Sequence, residues 1–532
     1  MMNLFLYINT LRYLKVTQLW HQGVRKISSF RHRPGESVSH LPENLADCHA
    51  FLLPWITKPT TWLGEKSYSF LNIVYNPTTW DDNTQGDLWR YNLNYMDYLL
   101  QDGVTTDKGL AMMQSFMQTA SQNRISDDPY PISLRGINWI KFFALHTDAS
   151  AQKKKSIDAF LLAQYRWLAT HTEQHLMANH YLENGFSLLF GAVYFQDKAL
   201  LKIASRLLPT QLKEQILSDG AHFELSPMYH CVLLDRLFDC YNLILSNGGV
   251  SETLKNCLAD SATAMLGWLE AIVLSDGTIP LLNDAAYEVA PTVSQLFDYA
   301  HRLGLSWTKS PLSSSGYRHF TGGRMEMIAD IGPIGASYNP GHAHADTFNF
   351  VVQLDGKPFI VDTGTSTYAA GKRRDYERSS MAHNTVVVNG KNSSCVWGAF
   401  RCAERARVTI LTDDTSIVEA SHDGFASEGV TIRRRWDYQG NSITVTDWCE
   451  GNEPNEVAAY IHLAPDVQVL SLDSSDPSAY VLRTDCGTLS FKNALNVEIL
   501  QQSTSSEYNR LLATNVLKVT FSQCLETAIL SN

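Results

Sequence analysis

The stretch Gly341-His342-Ala343-His344-Ala345-Asp346-Thr347-Phe348-Asn349-Phe350-Val351-Val352-Gln353-Leu354-Asp355-Gly356-Lys357-Pro358-Phe359-Ile360-Val361-Asp362 decides the fold. Phe348, Phe350, Val352 and Leu354 alternate with other residues, which is the period of a strand. Asp355-Gly356 is a hairpin turn signal, and Phe359-Ile360-Val361 is the returning strand. Simple register then sets Asp362 opposite Asn349, about 16 Å along the strand from His344. The 341–346 loop must therefore curl back if its histidines are to meet Asp362.

Strands continue downstream. Thr385-Val386-Val387-Val388 runs into Asn389-Gly390, a second turn signal, and Ser442–Thr446 and Leu517–Phe521 follow. This predicts an antiparallel β domain of two packed sheets over about 313–532. Upstream, from about 60 to 310, the period is helical. Ile157 to Leu168 carries apolar residues at helical spacing. Ser226-Pro227 is an N-cap with proline in the first turn. Leu234, Leu237, Phe238, Tyr241 and Leu245 then form one stripe, which Asn247-Gly248-Gly249 ends. Several such helices on short links predict paired helices stacked in a ring or bundle over 61–312. Helices followed by strands imply segregated α and β parts, an α+β multidomain chain and not a doubly wound sheet.

Composition narrows the partners. The 532 residues are 44% hydrophobic and 18% charged, with a formal net charge of −11. Phosphate contact needs a basic face, so nucleic acid is not expected as a partner. An anionic substrate requires a site that is locally basic. Nine cysteines, an odd number with no CxxC pair, argue against a disulfide framework or a cysteine zinc site. Residues 1–60 are read as a partly helical lead-in. In MMNLFLYINTLRYLKVTQLW the charges Arg12 and Lys15 follow the apolar run, unlike an export signal. The run is too short for a transmembrane segment. It reads as an amphipathic helix that docks on the body or makes peripheral contact with a membrane, docking being the simpler expectation. Oligomeric state is not legible.

Three clusters carry candidate chemistry. His342 and His344 share a face if they lie on a strand and diverge if they lie in a loop. Imidazole moves protons near neutral pH and binds metals, and Asp362 and His383 are candidate further ligands. In Ala178–Gly185, Asn179 can donate an amide hydrogen bond to an anionic group or cap a helix. In Asp219–His230, Tyr229 falls in the first turn of the helix begun at Pro227. The helix N-terminus should ease phenolate formation there. Glu224 can accept from sugar hydroxyls, orient another side chain or pair on the surface. Arg378 lies close to His383 and is a candidate for bidentate binding of carboxylate or sulfate. Arg135 and Trp139 line a sugar cleft or pack between helices.

Taken together and in order, these motifs are similar to the heparinase II/III family of polysaccharide lyases. The matching pieces are Pro129–Arg135, Asn179-His180 with Asn184-Gly185, Glu224 with Ser226–His230, Asp276-Gly277, Asn283-Asp284, Gly341–Asp346, Val361–Thr365 and Arg374–Thr385. The resemblance implies an N-terminal (α/α) toroid of helical hairpins, a C-terminal antiparallel β-sandwich, and a carbon-oxygen lyase acting on polysaccharides. The expected reaction is β-elimination on an acidic, uronate-bearing polysaccharide. Under it Asn179 holds the uronate carboxylate, Tyr229 and His342 transfer protons, and His180 and Glu224 lie close to the substrate. His344, Asp362 and His383 match positions that hold one divalent metal (zinc or calcium) in some members. No organic cofactor is expected. A polymeric substrate favours the cell envelope or periplasm, whereas the missing signal favours the cytoplasm. The alternatives are a glycoside hydrolase on a similar toroid, drawing two carboxylates from Glu183, Glu224 and Asp284, and a non-catalytic polysaccharide-binding protein.

Overall fold

The helical period is realised as two layers of helices. In a computed structural model, which describes residues 2–29, 34–39, 41–42, 45, 47–476 and 479–532, the helices Asp87–Tyr95, Pro129–Leu145, Ala178–Tyr194, Pro227–Asn247 and Val293–Arg302 pack on one another in chain order. Thr106–Thr119, Ala151–Thr170, Lys198–Gln215 and Glu252–Ile272 alternate with them and form an outer layer. The inner helices are buried almost all round, as in Ile132 to Phe143 and Leu182 to Ala192. A helix that is apolar on every side must be covered on every side, and this is what the outer layer does. Their starts follow the expected signals. Ser226 Oγ accepts from Tyr229 N at 3.2 Å, and the helix stops where Gly248 and Gly249 turn to positive φ.

One feature differs from the sequence expectation. A three-stranded sheet, Trp62–Gly64, Ser67–Phe70 and Ile73–Tyr75, precedes the first inner helix where helices were expected. Its aromatic residues Tyr68 and Phe70 pack against Tyr98 and Trp89. Three strands of three or four residues leave too short a pattern for periodicity to register. The lead-in is a pair of helices, Met2–Leu11 and Val16–Ser29, which dock on the body.

The named strands of the C-terminal half pair antiparallel. Tyr317–Phe320, Met325–Asp330, Phe350–Leu354 and Lys357–Ile360 form a four-stranded meander. A second sheet of ten strands runs from Val386–Val388 to Arg510–Ser531. One core joins them: Phe320, Met327, Phe350 and Val352 from the first sheet meet Val418, Ile432, Trp436 and Phe521 from the second. Both predicted hairpin turns form. Asp355 and Gly356, and likewise Asn389 and Gly390, take paired positive φ values, the signature of a type I′ turn. A bulge between Val352 and Gln353 shifts the returning strand by one residue. Even so, Asn349 Nδ2 donates to Asp362 Oδ2 at 2.6 Å.

Candidate active site

The two halves meet where the start of the helix Ala178–Tyr194, the start of Pro227–Asn247 and the loop 341–346 converge. Strain gathers at this junction. Met177, Ala178, Leu225 and Asn283 all have positive φ without being glycine, and they flank Asn179, Glu224 and Asp284. Such conformations persist only where surrounding structure enforces them, and they concentrate at functional sites.

The loop does curl back. Asp284 N donates to His342 O, His344 N donates to Asn283 Oδ1 and Ala345 N donates to Arg378 O. His342 and His344 diverge, as residues of a loop can, yet they grip one carboxylate. His342 Nδ1 lies 3.0 Å from Asp284 Oδ2, and His344 Nε2 lies 2.9 Å from Asp284 Oδ1. Arg374 closes the cluster by donating to both oxygens, the Nη2 contact at 2.8 Å. Burial alone would raise the Asp284 carboxyl, but Arg374 and the two imidazoles outweigh it and hold it well below the usual range. Asp284 is therefore a fixed anion. In the neutral imidazole it accepts from His342 Nδ1–H, and Nε2 is then the nitrogen that carries the lone pair.

That nitrogen faces the cleft. Asn179 Nδ2 lies 3.3 Å from His342 Nε2 and donates to Glu224 Oε2 at 2.9 Å. The Tyr229 ring stacks on the His342 ring, with centroids 3.8 Å apart at 27°. Its hydroxyl lies 3.1 Å from that of Tyr368. Asn179, Tyr229, His342 and Glu224 thus form one constellation. Contrary to the expectation from the helix N-terminus, burial dominates at Tyr229 and pushes its phenol well above the usual value. It is a proton donor at neutral pH. The His180 ring lies tilted against Tyr130, centroids 4.5 Å apart at 44°, and His180 Nδ1 lies 3.2 Å from Glu173 Oε1. Burial opposes its charge, but Glu173 outweighs burial and raises its pKa.

His383 Nδ1 lies 2.6 Å from Asp362 Oδ2, and Gly364 N donates to Asp362 Oδ1 at 2.7 Å. Glycine is required at 364: φ is +73° and a Cβ would meet Ser505 O at 1.8 Å. The His344 and His383 rings lie 5.2 Å apart, and each leaves one buried nitrogen, Nδ1 and Nε2 respectively, without a hydrogen-bond partner. Among the described residues no group of three His, Cys, Asp or Glu is arranged to hold a metal ion.

Three expected substrate contacts are corrected. Arg378 is 1% exposed and donates to the carbonyls of Ala343, Gly398 and Arg401. It ties down the histidine loop and has no face toward the cleft. Arg135, fully buried, donates to Gln164 Oε1, Asn94 O and Ser126 O. Trp139 is also fully buried and packs near Phe116 and Phe160. Arg135 and Trp139 lie on Pro129–Leu145, a helix buried almost all round, so an aromatic or cationic residue there is no sign of a cleft. Conversely, Arg374, Tyr368 and Glu173 were not singled out as site residues, and Asp284 was named only as a carboxylate of the hydrolase alternative. Asn283-Asp284 stood among the matching motifs, and that was the available signal.

A two-layered helical toroid joined to an antiparallel β-sandwich is the architecture that this chain shares with solved heparinase structures. The chain belongs to the heparinase II/III family: the family model described as Heparinase II/III N-terminus matches residues 104–303, and that described as Heparinase II/III-like, C-terminal, matches 306–527. It is 24% identical over 257 residues to a heparin-sulfate lyase of Pedobacter heparinus, covering 42% of this chain and 38% of that protein. It is 22% identical over 244 residues to a heparin-sulfate lyase of Bacteroides stercoris, covering 40% and 36%. A third relative, the FtsZ-localized protein C of Caulobacter vibrioides, is 25% identical over 249 residues, covering 44% and 42%. The chain thus spans well under half the length of the curated relatives it matches. Among solved structures, a heparan sulfate lyase from Pedobacter heparinus superposes with a TM-score of 0.62 at 17% identity, covering 97% of this chain and 88% of that one. A heparinase III structure gives 0.63 at 14% identity, covering 86% and 78%. At these identities the likeness establishes the fold.

Proposed function

We propose that this protein is a polysaccharide lyase that cleaves an acidic, uronate-bearing polymer by β-elimination. The observation that carries this reading is the convergence of Asn179, Tyr229 and His342, with His342 held through Nδ1 by Asp284. Elimination removes the proton on C5 of a uronate and expels the oxygen on C4. It needs a base, an acid and stabilisation of the charge that develops on the carboxylate. His342 Nε2, which carries the lone pair of the neutral imidazole, takes the C5 proton. Tyr229, kept neutral by burial, protonates the departing oxygen. Asn179 orients the carboxylate, and His180, whose charged form Glu173 favours, offsets its charge. Both amide hydrogens of Asn179 already have partners, so substrate binding exchanges one of these contacts for the uronate oxygen.

The hydrolase alternative fits less well. Asp284 spends its oxygens on Arg374 and two histidines, and Glu183 is buried beside Arg236 Nε at 3.0 Å. Neither is free to flank a glycosidic bond opposite Glu224.

We further propose that His344 Nδ1 and His383 Nε2 hold one divalent cation, with Asp362, expected as a third ligand, instead orienting the His383 ring through its Nδ1. The two partnerless imidazole nitrogens are donors of the kind zinc takes. Such an ion would supply structural charge that pins the loop carrying His342. A polymeric uronate substrate also supports a place in the cell envelope. Incubation with alginate, heparan-type chains, hyaluronan and bacterial capsules, followed by product analysis, tests the reading. Unsaturated non-reducing ends are expected, and saturated ends alone would overturn it.

A further inference from the structure

The exposed apolar surface of this chain is concentrated at its beginning. On Met2–Leu11, the side chains of Leu4, Phe5, Ile8 and Leu11 are 45 to 67% exposed. On Val16–Ser29, Val16, Leu19, Trp20 and Val24 are 41 to 82% exposed. The spacing 4, 5, 8, 11 and again 16, 19, 20, 24 makes one apolar stripe along each helix. Large apolar side chains normally appear singly on a soluble surface, and a contiguous rank marks a contact.

The helix pair is not loose. Its opposite face is seated on both halves of the protein. Trp397 Nε1 donates to Thr10 Oγ1 at 3.1 Å, and the Tyr7 ring meets Trp397 edge-on at 5.0 Å. Gln18 Nε2 donates to Leu176 O at 3.3 Å, Lys15 pairs with Glu214, and the Arg405 guanidinium lies 3.8 Å over the Tyr13 ring. The stripes are thus turned outward by docking and are not the exposed side of an undocked segment.

Charge indicates what covers them. Arg12, Lys15, Arg25, Lys26, Arg31 and Arg33 precede Glu36, and no Asp or Glu comes before it, in a chain whose net charge is −11. We propose that the paired helices lie on the surface of an anionic lipid bilayer. The apolar stripes enter the boundary between headgroups and acyl chains, Trp20 sits at the interface, and the excess of basic over acidic residues in this part of the sequence favours an anionic surface. A second copy of the chain explains the stripes less well, because a twofold contact would bring like charges together. An acidic polysaccharide would be attracted by the charge but leaves the apolar stripes uncovered. The docked face of the pair reaches the segment that leads to Asn179, since Gln18 contacts Leu176 three residues before it. This inference does not depend on the lyase reading.

The test is co-sedimentation of the full chain with vesicles of phosphatidylcholine alone and of phosphatidylcholine and phosphatidylglycerol in equal parts. Binding is expected to the anionic vesicles, to weaken with salt, and to fall by more than about tenfold in a Phe5→Glu/Trp20→Glu variant whose melting temperature is unchanged. Failure of the unsubstituted protein to bind anionic vesicles would overturn the proposal without recourse to any variant. So would equal binding by the variant. A dimer that the same substitutions dissociate, with no vesicle binding, would assign the face to a second copy.

Discussion

His342 and Asp284 meet at 3.0 Å, Nδ1 to Oδ2, while the backbone N–H of Asp284 donates to the carbonyl of His342. A buried carboxylate thus fixes both the position and the tautomer of the imidazole, and Arg374 keeps that carboxylate ionised. This arrangement turns an ordinary loop histidine into a nitrogen aimed at the cleft.

Removal of Arg374 should therefore be felt first as instability. An Arg374→Met variant strands the Asp284 carboxylate in the interior, which costs about 3–5 kcal/mol for a broken buried pair. Denaturant unfolding measures this directly. The sign with pH follows from the depressed Asp284 pKa. Its stabilisation is present above the ordinary carboxylate range and is lost only as pH falls below that range.

Arg378 gives the contrasting expectation. Its donors hold the carbonyls of Ala343, Gly398 and Arg401, so Arg378→Met should lower the melting temperature while leaving the KM of the remaining folded enzyme unchanged. A large rise in KM at unchanged stability would restore the residue to the substrate.

His180 governs the alkaline side. Its raised pKa means that its charge, and the stability gained from Glu173, are fully present below the ordinary histidine value and lost as pH rises through the raised one. The KM for a uronate polymer should rise over that same interval. His180→Gln should flatten the rise and weaken binding about tenfold, the worth of one charge-assisted hydrogen bond. Steady-state kinetics across pH read both effects.

A bound cation should show in thermal stability. Protein stripped with a chelator is expected to regain melting temperature on adding zinc or calcium, worth about 2.7 kcal/mol at a hundredfold excess over Kd. His344→Ala should abolish that gain. Calorimetry showing no shift with either ion would remove the metal from the account.

Much of this architecture was legible before any coordinates. The change of period near residue 317 separated helices from strands, because apolar alternation and the Asp355-Gly356 turn are local signals. Asn179, Tyr229 and His342 were legible through the order of their motifs. The roles of Arg135, Trp139 and Arg378 were not, since burial depends on which faces neighbouring helices cover, and no window of sequence contains that. The role of Asp284 was hidden for a related reason. Its partners lie 58, 60 and 90 residues away in the chain, and only folding brings a lone carboxylate between two histidines and an arginine. The short sheet at 62–75 escaped because its strands are shorter than one full period test.

The most direct measurement of the central claim is near-ultraviolet absorbance during turnover of a uronate polymer by the unsubstituted protein, His342→Ala and Tyr229→Phe. The account predicts a steady rise for the first, since elimination leaves a conjugated double bond. Either substitution should slow it by about 10² to 10⁴ with little change in melting temperature. New reducing ends without any absorbance, or full activity in either variant, would contradict it.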